Sequence, residues 1–136
     1  MSQAPLQQIA EGLFRCAGAV SVYAVCTGTD ECVLIDLGDG RALDALAEAG
    51  RRITDVLVTH GHRTQIDGID RLVGSPVRVH VNPQAEGFRP DAMDKCLAEL
   101  VPMRGKAVGR FELPAPLPPG LEIVRDLAPG ASVEIG

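Results

Sequence analysis

The first third of the chain alternates apolar and polar residues in short segments separated by turn residues, which is the pattern of β-strands. Leu6 to Arg15 predicts an edge strand or a hairpin that turns at Gly12. Gly18 to Cys26 predicts the next strand, and Glu31 to Leu37 predicts its partner across a hairpin loop at residues 27–31. Because Cys32 to Ile35 within this segment is continuously apolar, we expect these residues to be buried on both faces of the sheet.

Helical spacing then alternates with strand-like runs. Arg41 to Ala49 carries apolar residues at i, i+3 and i+4 and ends at Gly50. Ile53 to Val58 predicts a strand parallel to the one before the helix, in a right-handed βαβ unit. Asp67 to Val73 predicts a second short helix, and Pro76 to Val81 predicts the next strand. The residues of the second helical segment expected to face the core are Ile66, Ile69, Leu72 and Val73.

The last third of the chain has weaker patterns. Asp91 to Val101 has helical spacing, and residues 113–120 contain four prolines, which favour an extended surface connection over a helix. An interdomain linker and a ligand for a proline-binding domain are the alternatives for that segment. Strand-like sequence resumes at Leu121 to Val124, a type II turn is predicted at Ala128-Pro129-Gly130, and another strand is predicted from Ser132.

The strongest chemical signal lies where the second parallel strand ends. The apolar run stops at Thr59-His60-Gly61-His62, which holds two of the three histidines of the chain. In an extended segment, residues i and i+2 point to the same side, so His60 and His62 are able to converge on one metal ion. A catalytic zinc usually takes three protein ligands and an open position, so a third ligand is required. The alternative is a loop with two hydrogen-bonded or solvated histidines.

The order of these segments resembles the metallo-β-lactamase superfamily. Its first motif is a strand ending in Asp, as at Asp36, and its second motif reads Thr-His-x-His-x-Asp-His-x-Gly-Gly, as from Thr59 to Gly68 in part. The resemblance covers Gln8 to Pro83 and implies an α/β (α+β) fold with a mixed sheet and flanking helices. Superfamily members are αββα sandwiches of two similar halves. We therefore expect residues 1–136 to form a single domain that is the N-terminal half of such a sandwich or a truncated form of it.

The resemblance implies that His60 and His62 bind at most one zinc or iron, and the alternative is that no metal binds. The Asp and His that hold a second metal in the family correspond to Thr64 and Gln65, which are poor zinc ligands. A later Pro-Gly-His motif carries the third histidine of the first metal in the family, and this sequence lacks it.

Three residues are predicted to support the metal ligands rather than to bind metal: Asp36, Thr59 and Gln65. Thr64 and Asp67 are the predicted catalytic residues, because either side chain is able to orient a water molecule. For Asp67 the sequence favours a cap on the helix that follows it over a role in the site.

Composition narrows the function classes. The chain has 136 residues, of which 46% are hydrophobic, which predicts a globular domain with its own core. The net charge of −5 argues against non-specific binding to nucleic acid or to an anionic membrane. No apolar run is long enough to span a membrane and no signal peptide is recognisable at the N-terminus, so we expect a cytoplasmic protein.

The remaining histidine and the cysteines give structural predictions. His80 alternates with the apolar residues of its strand, which predicts a side chain facing solvent or covered by a helix. The four cysteines form no Cys-x-x-Cys pair, which disfavours a structural zinc ribbon. Cys26 and Cys32 flank the predicted hairpin loop and are expected to lie opposite each other, either as small buried side chains or as a pair that cross-links on oxidation.

Three functional hypotheses follow. The first is a metal-dependent hydrolase of a small-molecule ester, thioester, amide or phosphoester, with a metal site completed by a second copy of the chain or by a C-terminal half. The second is an inactive domain with the same fold that serves binding or assembly. The third is an unrelated doubly wound domain with a fortuitous His-x-His.

Overall fold

A seven-stranded mixed sheet is the framework of the part of the chain that the structure describes, and its strands are neighbours in space in the same order as in sequence. The computed structural model describes residues 6–18, 20–26, 28, 30–60, 63–82, 117–128 and 130–132. The strands are β1 (Leu6–Ala10), β2 (Leu13–Cys16), β3 (Val22–Cys26), β4 (Glu31–Ile35), β5 (Arg52–Leu57), β6 (Arg78–His80) and β7 (Glu122–Val124).

Strands β1 to β4 form an antiparallel meander. Gly12 closes the β1–β2 turn with a φ of +72°, a conformation that glycine adopts without steric penalty. Strands β3 and β4 pair in the register that sets Cys26 opposite Cys32. The predicted hairpins and the predicted position of these two cysteines are therefore confirmed.

Strands β4 to β7 are parallel, as predicted for the βαβ unit. Helix α1 (Arg41–Glu48) connects β4 to β5 and buries Ala42, Ala45 and Leu46. A bulge between Cys32 and Val33 shifts the β4–β5 register, after which Leu34 pairs with Val56.

A 3₁₀ helix over Ile69–Leu72 stands where a helix was predicted over Asp67 to Val73, and a separate 3₁₀ helix over Arg63–Gln65 precedes it. Ile69 and Leu72 are buried as predicted, but Val73 is 45% exposed, because the second helix ends before it. Gly68 occupies the N-cap position of this helix and no side chain caps it, so the predicted capping role of Asp67 is wrong.

The core lies between one face of the sheet and the helical segments. It comprises the buried apolar residues Cys16, Val22, Ala24, Cys32, Leu34, Leu37, Ala42, Leu46, Val56, Val58, Ile66, Ile69, Leu72, Val79 and Val81. Leu34, Leu46 and Val56 are fully buried in this core, and α1 contacts β5. The motif residues lie just beyond the carboxyl ends of β4 and β5.

The C-terminal part is described only in places. Strand β7 confirms the strand predicted over Leu121 to Val124, and Gly130 has a φ of +82° with a hydrogen bond from Ala131 N–H to the Ala128 carbonyl, as the predicted type II turn requires. The helix predicted over Asp91 to Val101, most of the proline-rich segment and the final strand lie outside the described residues. In the described part, no helix is long and apolar enough to cross a membrane.

Candidate metal centre at the carboxyl end of the parallel strands

Asp36 organises the loops at the carboxyl ends of β4 and β5. It directly follows β4 and has a φ of +63°, the left-handed region that few side chains other than Asn and Asp tolerate. Its N–H donates to the Leu57 carbonyl at 2.8 Å, which continues the sheet by one residue. Its side chain is only 5% exposed, so the carboxylate needs protein donors.

Three neutral donors satisfy the Asp36 carboxylate. The Thr59 N–H donates to Oδ1 at 2.8 Å. The Thr59 hydroxyl donates to Oδ2 at 2.7 Å, and Gln65 Nε2 donates to the same oxygen at 2.8 Å. The structure thus brings Asp36, Thr59 and Gln65 together, in the arrangement expected of residues that position a metal ligand.

This network defines the hydrogen position on His60. Nδ1 of His60 lies 3.0 Å from Thr59 Oγ1. Because the single hydroxyl hydrogen of Thr59 is donated to Asp36, Oγ1 accepts from the Nδ1–H of His60. In a neutral imidazole the hydrogen on Nδ1 leaves Nε2 unprotonated, which is the tautomer that binds metal through Nε2. The ring is exposed at the surface, where a ligand reaches it.

The main chain of Gln65 holds the motif loop against the turn after Asp36. Its carbonyl accepts from the N–H groups of Leu37 and Gly38 at 3.0 and 2.8 Å. Further along, the Gly68 N–H donates to the Gly38 carbonyl at 2.7 Å. A Cβ atom at Gly68 would lie 2.6 Å from the carbonyl carbon of Asp39, so only glycine permits this approach of the two loops.

The remaining predicted site residues are Thr64, Asp67 and His62. Thr64 is half-buried, and the exposed Asp67 lies on the turn before Gly68. His62 lies outside the described residues, so its predicted role as a metal ligand is not decided by the geometry. Among the described residues, no group of three or more His, Cys, Asp or Glu side chains converges to hold a metal ion.

The fold has close counterparts among solved structures. MEM-A1, a subclass B3 metallo-β-lactamase from a soil metagenome library, superposes with a TM-score of 0.63 at 18% identity, over 97% of this chain and 49% of that one. MIM-1 from Novosphingobium pentaromativorans gives a TM-score of 0.60 at 20% identity, over 97% and 47% of the two chains. A Cronobacter sakazakii metallo-β-lactamase described by its HARLDQ motif gives a TM-score of 0.53 at 20% identity, over 88% and 44%.

The sequence gives independent support, because residues 17–63 match the family model described as Metallo-beta-lactamase superfamily. The chain has the metallo-β-lactamase fold. The predicted fold is confirmed, and the sheet with its flanking helix is a partial αββα arrangement. The chain spans about half the length of the solved structures that it matches. The comparison with curated proteins gives no match.

A second buried carboxylate in this metallo-β-lactamase fold was missed from the sequence. Asp55 of β5 is 2% exposed, and His80 of β6 is 3% exposed, so the alternative in which His80 faces solvent is wrong. His80 Nε2 lies 2.6 Å from Asp55 Oδ2, and His80 Nδ1 lies 3.0 Å from Asp126, just beyond β7. Arg78 Nε lies 3.0 Å from Asp55. These four residues link β5, β6 and the end of β7, and we call them the strand clamp.

The clamp had a partial sequence signal. Asp55 interrupts the apolar run of β5, and Arg78 and His80 lie on one face of β6 because they are two residues apart. Burial raises the pKa of the Asp55 carboxyl, but the hydrogen bonds from His80, Thr54 and Arg78, with the positive charge of Arg78, outweigh it and lower the pKa below its usual value. The carboxylate therefore stays charged at neutral pH.

Proposed function

We propose that this chain contributes the first metal ligands of a metal-dependent hydrolase that acts on a small-molecule ester, thioester, amide or phosphoester. His60 and His62 would hold one zinc or iron ion. The observation that supports the proposal most strongly is the chain of hydrogen bonds from Asp36 through Thr59 to His60 Nδ1. Carboxylate groups behind metal-binding histidines commonly orient the ring in this way.

The donor set fits one ion and not two. Gln65 occupies a position where family members place a ligand of the second metal, and its amide nitrogen donates to Asp36 instead. Thr64 replaces the other ligand and carries no charge. We therefore propose a single-ion site, with a third ligand supplied by further polypeptide or by a second copy of this chain.

Some residues of this chain would bind the metal ion, and others would orient the metal-binding histidine or the coordinated water. A bound ion would lower the pKa of a coordinated water toward ~7 and so supply a nucleophile. Asp36 keeps the Thr59 hydroxyl directed so that its oxygen accepts from His60, which maintains the Nε2 lone pair. Thr64 and the exposed Asp67, which lie on the loop after His62, are the residues proposed to hold a proton of the water.

A second function is favoured by one observation. The amide of Gln65 turns inward and satisfies Asp36, so the loop is held in place by protein donors at the position where the family uses metal. A domain with this loop is able to keep its fold without a second ion, as a binding or assembly module would. Its partner would be a small molecule, a second copy of the chain or a C-terminal half.

Metal content distinguishes the two functions. The sample is untagged protein, purified without chelator and together with the partner that completes the site. Elemental analysis should find close to one zinc or iron per chain in it, and the His60→Ala variant should lose this metal. The matched control is Asp70→Ala, which changes an exposed residue outside the network. Absence of metal after incubation with zinc, in protein whose solution mass shows the assembled form, would contradict the hydrolase and support the module.

A further inference from the structure

Two cysteines face each other at the hairpin that joins β3 to β4, at the opposite end of β4 from Asp36. Cys26 and Cys32 face each other across the antiparallel β3–β4 ladder, and their Sγ atoms lie 2.6 Å apart. Opposed residues of an antiparallel pair have Cα atoms roughly 4.5–5.5 Å apart, which lies within the range of disulfides. Both residues are free thiols in this structure. The sulfur atoms are therefore close enough to bond without rearrangement of the strands.

The two thiols differ in accessibility. Cys32 is fully buried, whereas Cys26 is half-buried at the end of β3. Burial, followed by the hydrogen bond and charge interaction with Cys26, raises the pKa of the Cys32 thiol to about 12, and Arg51 opposes this only in part. Cys32 is thus a protonated sulfur that solvent does not reach, and Cys26 is the sulfur that an external reagent meets first.

The hairpin that holds this pair is tied to the parallel half of the sheet. The Arg52 N–H donates to the Asp30 carbonyl at 2.6 Å, and the Arg52 guanidinium lies 2.7 Å from Glu31. Thr54 Oγ1 lies 3.5 Å from the Cys32 carbonyl oxygen. These contacts hold the start of β4 against β5, so Cys32 is kept in position opposite Cys26.

We propose that Cys26 and Cys32 are a redox modification site that closes as a reversible cross-strand disulfide, with a low-molecular-weight disulfide as oxidant. The Cys26 thiolate attacks one sulfur of the oxidant, forms a mixed disulfide and releases one thiol. The Cys32 sulfur then loses its proton and attacks Cys26 Sγ, which releases the second thiol. The two cysteines lose two electrons and two hydrogens, and the oxidant gains both to become two thiols.

The experiment uses glutathione disulfide as the oxidant and the whole chain in a Cys16→Ser background. Cleavage after glutamate separates the residues, because Gly12 to Glu31 then contains only Cys26 and Cys32 to Glu48 contains only Cys32. We expect the oxidised protein to yield these two fragments joined in one species, which dithiothreitol separates. The mass of the intact chain should fall by two hydrogen atoms.

The order of attack has its own test. Cys32→Ala should stop at the mixed disulfide and retain one glutathione on Cys26, because the second sulfur is missing. Cys26→Ala should react much more slowly than Cys32→Ala, because the remaining thiol is buried. Circular dichroism checks that each variant is folded before oxidation.

Two results would overturn the proposal. One is that the thiol count of the folded, oxidant-treated chain stays unchanged. The other is that the two fragments separate without reductant while a bond to the fourth cysteine of the sequence, Cys96, or a covalent dimer accounts for the lost thiols. The proposal would be supported if the fragments Gly12 to Glu31 and Cys32 to Glu48 are joined in the Cys16→Ser background and if Cys32→Ala retains glutathione on Cys26.

Discussion

Two buried aspartates, one at the end of β4 and one within the adjacent parallel strand β5, are stabilised by different kinds of partner. Asp36, at the end of β4, accepts hydrogen bonds from three neutral donors of one loop. Asp55, inside β5, pairs instead with the charged Arg78 and with His80 on the next strand. The first arrangement positions a loop and His60 at the carboxyl ends of β4 and β5. The second links β5, β6 and the end of β7. Asp36 thus stabilises a single loop, whereas Asp55 connects neighbouring strands of the sheet.

The largest loss of stability is expected when the strand clamp is disrupted. Asp55→Ala removes the carboxylate that His80 and Arg78 both contact; the buried His80 nitrogen left unsatisfied costs about 1–3 kcal/mol, and the cavity left by the side chain adds to that cost. Urea unfolding should show this loss in the free energy of unfolding. Asp70→Ala, which removes an exposed carboxylate, is the control and should change stability by less than about 0.5 kcal/mol. Equal midpoints for the two variants would show that the clamp contributes nothing.

A smaller loss is expected at Asp36. In Asp36→Asn one of the two carboxylate oxygens becomes an NH2 group, so in either orientation at least one donor from Thr59 or Gln65 faces another donor. An unsatisfied buried donor costs about 1–3 kcal/mol. Urea unfolding measures the stability and zinc titration measures the loss of affinity at His60. A stability loss with unchanged zinc affinity would separate Asp36 from the metal site.

The loop at Asp36 also depends on backbone packing, which Gly68→Ala tests. The added methyl group would meet Asp39 and the N atom of Gly40 at 2.6–2.7 Å, so the two loops must move apart. Overpacking of this kind costs about 1–3 kcal/mol. Gly28→Ala is the matched control, since nothing lies within 4 Å of its added carbon. Indistinguishable thermal midpoints would mean that the loops separate without loss.

The smallest expected effect is the acid dependence of the clamp. Because the pKa of Asp55 is lower in the folded chain than its ordinary value, the folded state binds fewer protons, and the stability contributed by Asp55 is complete above about pH 4. That stability is lost as the pH falls through the folded pKa. Urea unfolding between about pH 2 and 5 should therefore show a steeper acid loss in wild type than in Asp55→Asn. Parallel pH profiles would contradict the charged clamp.

The sequence was sufficient for one of these regions and not for the other. Asp36 and Thr59 lie just beyond the ends of β4 and β5, and Gln65 follows within the same motif, so the proximity of the three residues was predictable from the resemblance. The clamp depends on Asp126, which is 46 residues from His80 in sequence and meets it only because β7 pairs with β6. Alternation within β6 identified which face His80 occupies, but no local pattern showed that this face is buried there.

The helix after the motif was mispredicted for a related reason. Apolar spacing around Ile69 and Leu72 indicated the correct buried residues. The hydrogen bond of Gly68 to the Gly38 carbonyl holds the loop before the helix against the turn after β4, and the helix that begins there is a short 3₁₀ helix. Tertiary contact between the two loops therefore decided the local structure.

The most direct test of the central claim is zinc affinity in two variants of one hydroxyl. Thr59→Ser keeps the hydroxyl that links Asp36 to His60 Nδ1, whereas Thr59→Val keeps the shape and removes it. Loss of such a supporting hydrogen bond typically lowers metal affinity about 10–100-fold. The zinc affinities are measured on the folded chain together with the partner that completes the site. We predict that Thr59→Val shows this loss of affinity and that Thr59→Ser binds zinc about as tightly as wild type. Equal zinc affinities for the two variants would contradict the account that Asp36 positions His60 for metal.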